Sequence, residues 1–311
     1  MKRVLMVAYH FPPLSGSSGV QRTLRFVRHL PQFGWEPIVL SAHPRAYATT
    51  SADLLAQVPS DTVVRRAFAL DTARHLSIAG RYVASMARPD RWASWKFDGV
   101  RQGMRLVRKY KPDVIWSTFP IATAHSIGAE LHRRSGIPWV ADFRDPMAQT
   151  GYPSDPVTWR YYKAIEEHAV TNAAFSTFTT PGAARIYRER YPQSAERIVV
   201  LENGYDESSF IDAEAFNDQL SPLNPNVLTL LHSGIVYPHE RDPSQFFAAL
   251  RHLADEGHLS LAQLKVRFRS AVHDDLLHQL AAQYGVEEFI ETLPAIGYQD
   301  ALREILRADA L

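Results

Sequence analysis

The chain has 311 residues, of which 46% are hydrophobic and 22% charged, and its formal net charge is +1. That composition is ordinary for a globular protein, and the length exceeds what one hydrophobic core commonly serves, so two domains are expected. The absence of cysteine excludes disulfides, thiolate catalysis and thiolate metal sites, and it fits a reducing compartment.

Met1-Lys2-Arg3 followed by Val4-Leu5-Met6-Val7-Ala8 has the charge and apolarity of a signal peptide, but the apolar run is short. It leads into Tyr9-His10-Phe11-Pro12-Pro13 rather than a small-residue cleavage site, so a first β-strand is the better reading. The strand lacks polar alternation, so both its faces must be covered, as in a central strand of a doubly wound parallel sheet. Two prolines then interrupt regular structure, and Val20, Leu24, Val27 and Leu30 recur at helical spacing. Gly16 and Gly19 let the backbone approach a ligand beside the start of that helix, where free N–H groups suit a phosphate or a sugar hydroxyl. The plainer alternative is a turn whose glycines serve turn geometry alone. The spacing lacks the third glycine and the later acidic residue of a dinucleotide fingerprint, which argues against a nicotinamide cofactor.

Further strands are expected at 37–40, 62–65, 113–116, 139–142, 175–179 and 198–201, with helical patterns between most of them. Such alternation implies right-handed crossovers and a parallel sheet, and it places a first domain at 1–202. Asn203-Gly204-Tyr205-Asp206 and Ser221-Pro222-Leu223-Asn224-Pro225-Asn226 carry turn chemistry around a polar stretch, which reads as an interdomain linker at 203–225. The cycle restarts in a second domain, 226–311, with strands at 227–232, 264–269 and 288–292 and helices at 243–256, 273–284 and 299–307. Ala308-Asp309-Ala310-Leu311 reads as the opening of another strand, so the second domain is expected to be incomplete, with an unpaired sheet edge.

The small net charge conceals an asymmetry. Between Arg65 and Lys111 there are twelve Lys or Arg against three Asp, interleaved with Phe68, Tyr82, Trp92, Trp95 and Phe97. Basic residues mixed with aromatics suit an anionic bilayer surface; a nucleic-acid face is the weaker alternative, and a solvated helix face with its aromatics in the core is the plain one. No segment reaches the ~18 apolar residues of a membrane span. A cytoplasmic protein, at most peripheral on the inner face of a membrane, is expected.

Ligands of open α/β folds bind at the carboxyl edge of the sheet. Four segments are expected there: the Gly16/Gly19 loop, Ser117-Thr118-Phe119-Pro120 with His125 beyond, Asp142-Phe143-Arg144-Asp145-Pro146, and Asn203-Gly204. The Asp-Arg-Asp cluster either serves function, with Asp142 orienting Arg144, or is a self-satisfied salt-bridge network. Metal binding by its two aspartates lacks a third ligand placed by sequence. His125 either faces the edge or caps a helix, and the thirteen histidines show no metal-ligand spacing. His10, beside the glycine loop, is a weaker candidate, His232 reads as structural, and Trp92 and Trp95 stay open between core, acceptor platform and bilayer anchor. In the second domain, the turn 231–243 offers Gly234 for close backbone approach and the cation Arg241 just before a helix opened by Asp242 and Pro243.

Residues 9–22, 137–146 and 202–206, and His232-Ser233-Gly234-Ile235-Val236-Tyr237-Pro238 with Arg241-Asp242-Pro243, resemble in order the GT-B glycosyltransferases of family 4. The resemblance implies an α/β GT-B fold, two Rossmann-like domains with parallel sheets facing a cleft, and a retaining, metal-independent transferase without a cofactor. The first domain would hold a glycan or lipid-linked acceptor and the second the nucleotide of an activated sugar. By position it implies Gly16 and Gly19 as the glycine-rich loop beside the donor diphosphate, Arg144 as a polar side chain reaching the donor sugar, and Arg241 as the basic residue of the nucleotide domain. With the edge residues read above, the expected donor-binding set is Gly16, Gly19, Gly234, Arg241 and Asn203, and the expected catalytic set is Arg144, Asp145 and His125. Arg241 would neutralise the diphosphate, on which negative charge accumulates as the glycosidic bond breaks. The chain departs from the family at Ile235, where a second basic residue is common, and the family's paired glutamates find no counterpart within 311 residues. A glycosyltransferase of surface polysaccharide synthesis is therefore expected, against a truncated, inactive remnant that binds acceptor or a partner, and against an epimerase of the same fold.

Overall fold

The computed structural model describes residues 1–17, 19–215, 222–238 and 242–311. The chain divides into two compact units, Met1–Gly204 and Tyr205–Leu311.

The first unit contains β1 (Lys2–Val7), α1 (Gly19–His29), β2 (Trp35–Ala42), β3 (Val63–Ala67), α2 (Thr72–His75), α3 (Trp95–Tyr110) and β4 (Val114–Thr118). It continues with α4 (Ala122–Ser135), β5 (Trp139–Arg144), α5 (Pro156–Asn172), β6 (Phe175–Phe178), α6 (Pro181–Arg190) and β7 (Ile198–Val200). The seven strands form one sheet in the order β3-β2-β1-β4-β5-β6-β7, parallel throughout. The chain winds outward from β1 to β3, returns to β4 and winds the other way, so the topological switch point lies between β1 and β4. The uniformly apolar first strand behaves as its composition requires. Leu5 and Val7 enter a core with Leu40, Ile115, Trp95 and Ile127, while Val4 and Met6 enter a second one with Val27, Val39 and Trp116.

The second unit contains α7 (Glu207–Glu214), β8 (Leu228–Ser233), α8 (Ser244–Asp255), β9 (Leu264–Arg269), α9 (Asp274–Tyr284), β10 (Ile290–Leu293) and α10 (Tyr298–Arg307). Its sheet runs β10-β9-β8, again parallel, around Phe247, Val266, Phe268 and Leu277. Ala310 forms a single parallel bridge to Leu230, on the edge of β8 away from β9. The stretch 203–225 differs from the linker expected of it: α7 occupies part of it and packs on α10. Buried Asp206 organises the entry of that helix by accepting from Ser208 Oγ and Ser209 Oγ, both at 3.0 Å, a local pattern that polarity alone concealed. Residues 216–221 lie outside the described residues.

The basic segment is neither pure core nor pure solvated face. Trp95 is fully buried, and Trp92 is half-buried, donating from Nε1 to Ala46 O at 3.2 Å and packing on Tyr9. Phe68, Tyr82 and Phe97 are exposed, as are Ile78, Val83 and Met86. No described helix is long and apolar enough to cross a membrane.

Candidate active site

In a parallel sheet every strand ends at the same edge, so the segments after β1, β4, β5, β6 and β7 share the carboxyl edge of the first unit. The loop after β1 is pinned from the side: Ser15 N–H donates to Thr49 O at 3.2 Å, Thr49 Oγ1 donates to Ser15 O at 2.9 Å, and Ser51 N–H donates to Pro13 O at 2.9 Å. Gly16 follows with φ +74°, a left-handed conformation that glycine adopts without cost. Gly19 opens α1, and its own hydrogen replaces a side chain for a different reason. A Cβ there would overlap His10 Nδ1 and lie 3.0 Å from Arg144 Nη1. Three chemistries therefore converge on one point: a helix start, an imidazole and a guanidinium.

Part of the helix end is already capped. Gly19 N–H donates to Ser17 Oγ at 3.3 Å and Val20 N–H to Ser17 O at 3.3 Å. The backbone donors of Gly19 and Val20 are thus spent, and nearby side chains add to the groups that can meet a ligand.

Arg144 is the chief of these. It closes β5 at a register shift against β6, with φ +62°, a conformation uncommon for any residue other than glycine. Its carbonyl holds that geometry by accepting from Thr179 N–H at 3.0 Å and Thr179 Oγ1 at 2.9 Å. The loop beyond is tied down as well, since Met147 N–H donates to Tyr187 Oη at 2.8 Å and Ala148 N–H to Glu166 Oε2 at 3.0 Å. The guanidinium itself is under-used. One long bond, Nη1 to Phe119 O at 3.4 Å, is its only hydrogen bond among the described residues, and Nε is buried without a partner. Burial pushes its pKa down, opposed by the charges of Asp142 and Asp145. His10 beside it is pushed down to about 4, chiefly by burial and further by the Arg144 charge, so it is neutral at ordinary pH, with Nδ1 buried and unpartnered.

The neighbouring arginine is the opposite case. Arg22 Nε and Nη2 donate to the two oxygens of Asp142, each at 3.0 Å, and the pair is buried. Nη2 also donates to Leu201 O at 3.0 Å, and Nη1 donates to Glu202 O at 3.2 Å and Asn203 Oδ1 at 3.1 Å. Asp142 additionally accepts from Thr118 Oγ1 at 2.8 Å and Thr177 Oγ1 at 2.6 Å.

Residues 18–204 match the model of the glycosyl transferase 4-like domain, well over half of the chain. The chain belongs to the glycosyl transferase 4-like family. As a glycosyltransferase it is also similar in fold to solved structures. A sucrose-phosphate synthase from Thermosynechococcus elongatus superposes with a TM-score of 0.65 at 13% identity, over 99% of this chain and 74% of that one. Alr3699/HepE from Anabaena, solved in complex with UDP and glucose, gives 0.58 at 15%, over 97% and 71%. An enzyme described as a putative UDP-N-acetylglucosamine 2-epimerase, from Listeria monocytogenes, gives 0.55 at 10%, over 99% and 73%. These likenesses establish the GT-B fold. No curated protein matches the sequence.

Within this glycosyltransferase, Gly16, Gly19, Arg144 and Asn203 lie at the carboxyl edge of the first unit, and Asp145 follows Arg144 with its side chain exposed. His125 lies elsewhere. It is fully buried among Phe119, Phe143 and Trp139, and its Nδ1 meets Ser117 Oγ at 2.8 Å, so it neither faces the edge nor caps α4. Burial pushes it down to about 4. Gly234 ends β8 in the second unit with φ +140°. Arg241 lies outside the described residues. Among those described, no group of three or more His, Asp or Glu is placed to hold a metal ion.

Asp142 corrects an expectation: its partner is Arg22 rather than Arg144. Residues two apart on a regular strand share a face, but the register shift and positive φ at Arg144 break that alternation. Arg22 was the residue that sequence reasoning missed. An acid inside the buried strand Trp139-Val140-Ala141-Asp142-Phe143 demands a cation, and that demand was the available signal.

Proposed function

We propose that this glycosyltransferase moves a sugar from a nucleotide-sugar donor to a glycan or lipid-linked acceptor, with retention of anomeric configuration and without a metal ion, in the assembly of a surface polysaccharide. The observation that carries the proposal is Arg144: a half-buried guanidinium with unspent donors, held in a strained conformation at the sheet's carboxyl edge, beside the start of α1 and a neutral His10. As the bond from sugar to diphosphate breaks, negative charge grows on the leaving oxygen. A cation already in place, with little solvent to reorganise, stabilises that charge. Arginine keeps its charge at any ordinary pH and matches phosphate through its fork. Asn203 supplies further polar contact, Asp145 stands as an exposed carboxylate next to the cation, and Gly234 and Arg241 are assigned to the nucleotide in the second unit. His125 contributes through packing. HepE, similar in fold, was solved with UDP and glucose, which favours a uridine diphosphate donor as the first to try.

The test is binding and turnover across UDP-, GDP- and ADP-sugars, comparing the protein with Arg144→Ala. At least one donor is expected to bind, and the variant to lose ~10²-fold or more in turnover. Silence toward every donor would defeat the assignment. A second reading, epimerisation of a nucleotide sugar, is favoured by the likeness to a 2-epimerase; interconversion of a UDP-sugar without any acceptor would be its mark. The exposed Ile78, Val83, Met86 and Phe97 among the cations of 65–111 support docking of the same protein on the anionic cytoplasmic face of a membrane.

A further inference from the structure

Arg22 and Asp142 form a junction with no spare capacity. A guanidinium has five N–H groups, and all five of Arg22 are engaged: two on Asp142, and three on Leu201 O, Glu202 O and Asn203 Oδ1. A carboxylate offers about four acceptor positions, and Asp142 fills that number with Arg22, Thr118 and Thr177. Neither group can take up a ligand without breaking a bond it already has. The junction instead ties α1, three residues past Gly19, to the ends of β4, β5 and β6 and to the segment leaving β7.

The consequence falls on Asn203. An arginine offers donors only, so the Asn203 amide must turn its oxygen toward Arg22, which leaves Nδ2 with two N–H groups facing away. Asn203 is exposed, and its outward half is therefore a pair of donors whose orientation is set by another residue.

We propose that Arg22 is a positioning residue for donor binding, acting through Asn203, whose Nδ2 hydrogens take an oxygen of the donor's sugar or diphosphate. This deepens the proposed function and rests on the carboxyl edge being the donor site. Lysine cannot substitute, because a single ammonium has no fork for the carboxylate and too few donors for the rest.

Two variants and two readouts test it. The first readout is cleavage of the Glu202–Asn203 bond by a glutamate-specific endoprotease, normalised to cleavage after the exposed Glu256 in the other unit. The Glu202 carbonyl must leave Arg22 before it can be attacked. The second is the KM and kcat for the UDP-sugar. Arg22→Lys is expected to raise relative cleavage roughly tenfold and KM by roughly tenfold, the order expected for losing a charge-assisted bond. Asn203→Asp keeps an acceptor for Arg22 and removes the outward N–H groups, so cleavage stays at or below wild type while KM rises tenfold or more. Wild-type KM in Asn203→Asp would overturn the proposal, as would wild-type cleavage in Arg22→Lys. If Arg22→Lys fails to fold, Asn203→Asp decides alone. If the unmodified protein binds no nucleotide sugar, the proposed function falls and the ligand half of this inference falls with it; normal donor binding combined with a silent Asn203→Asp defeats the inference alone.

Discussion

Replacing Gly19 by alanine separates the steric role of this glycine from its effect on helix propensity. Gly19 starts α1 with an ordinary backbone conformation, so alanine is compatible there and by propensity alone would stabilise the helix by about 0.5–1 kcal/mol. The added methyl, however, overlaps His10 Nδ1 and sits 3.2 Å from His10 Cγ and 3.0 Å from Arg144 Nη1. His10 has little room to yield, because it is largely buried and its ring meets that of Tyr9 at a centroid distance of 5.6 Å. Overpacking of this kind costs about 1–3 kcal/mol, which exceeds the propensity gain. The net expectation is a loss of up to about 2.5 kcal/mol, seen as a midpoint lower by up to roughly 10 °C for a unit of this size. Displacing the guanidinium by even ~1 Å should also cost up to ~10²-fold in donor turnover. Gly182→Ala is the control, since Gly182 lies in α6 with nothing within 4 Å of the added carbon; it should be neutral or slightly stabilising. Thermal unfolding and UDP-sugar kinetics on both variants decide the matter. A Gly19→Ala protein that matches wild type in stability and turnover would refute the convergence described at this edge.

Asp142→Asn leaves Arg22 buried without its counter-charge and should destabilise the first unit by about 3–5 kcal/mol, measured by urea unfolding; a loss under ~1 kcal/mol would contradict the ion pair's place in the fold. His10 and His125 are both depressed to about 4, chiefly by burial, from 6.5 when unfolded, so between those values the unfolded chain binds protons that the native one excludes. Stability should therefore be full above about pH 6.5 and fall as the pH drops toward 4, by up to about 1.4 kcal/mol per pH unit for each histidine. His125→Asn retains an acceptor for Ser117 Oγ and has no charge to gain, so its stability profile should be visibly flatter across that window in denaturant titrations. Replacing Lys96, Arg108, Lys109 and Lys111 by glutamine, with Ile78, Val83 and Met86 changed to serine, should weaken sedimentation with anionic vesicles by at least ~10-fold at low salt, at about 1 kcal/mol for each surface cation. Unaltered sedimentation would assign the segment to plain solvation.

The strands were legible because their signal is local. Val4 to Ala8 is apolar for a length only a covered strand supports, Trp139 to Phe143 is apolar but for Asp142 and the run from Leu228 to Leu231 but for Thr229, and each lies in or largely within a strand of a parallel sheet. The glycine loop was legible because two prolines and two glycines between a strand and a helix leave few structures open. Helix α7 was not, since its eight residues carry little apolar periodicity and its entry depends on serines bonding Asp206. Side-chain partnership was the least legible of all. His125 follows β4 and Arg144 closes β5, both strands ending at the carboxyl edge, yet one turns into the core and the other stays at the rim, because a helix turn carries the first inward and its own left-handed conformation turns the second aside.

Arg22 and Arg144 show why charge alone is a poor guide to a binding site. Arg22's side chain is buried and Arg144's half-buried, both lie near Asp142, and their shared charge gives no reason to rank one above the other. Their hydrogen-bond balance separates them. Every N–H of Arg22 is matched, so a ligand gains nothing by approaching it, and its removal costs the fold. Arg144 has paid for burial with one long bond and a strained backbone, and a buried donor left unmatched costs about 1–3 kcal/mol. An anion that supplies the missing acceptors recovers that cost on binding, which is why the incomplete arginine, rather than the complete one, is the group expected to meet the substrate.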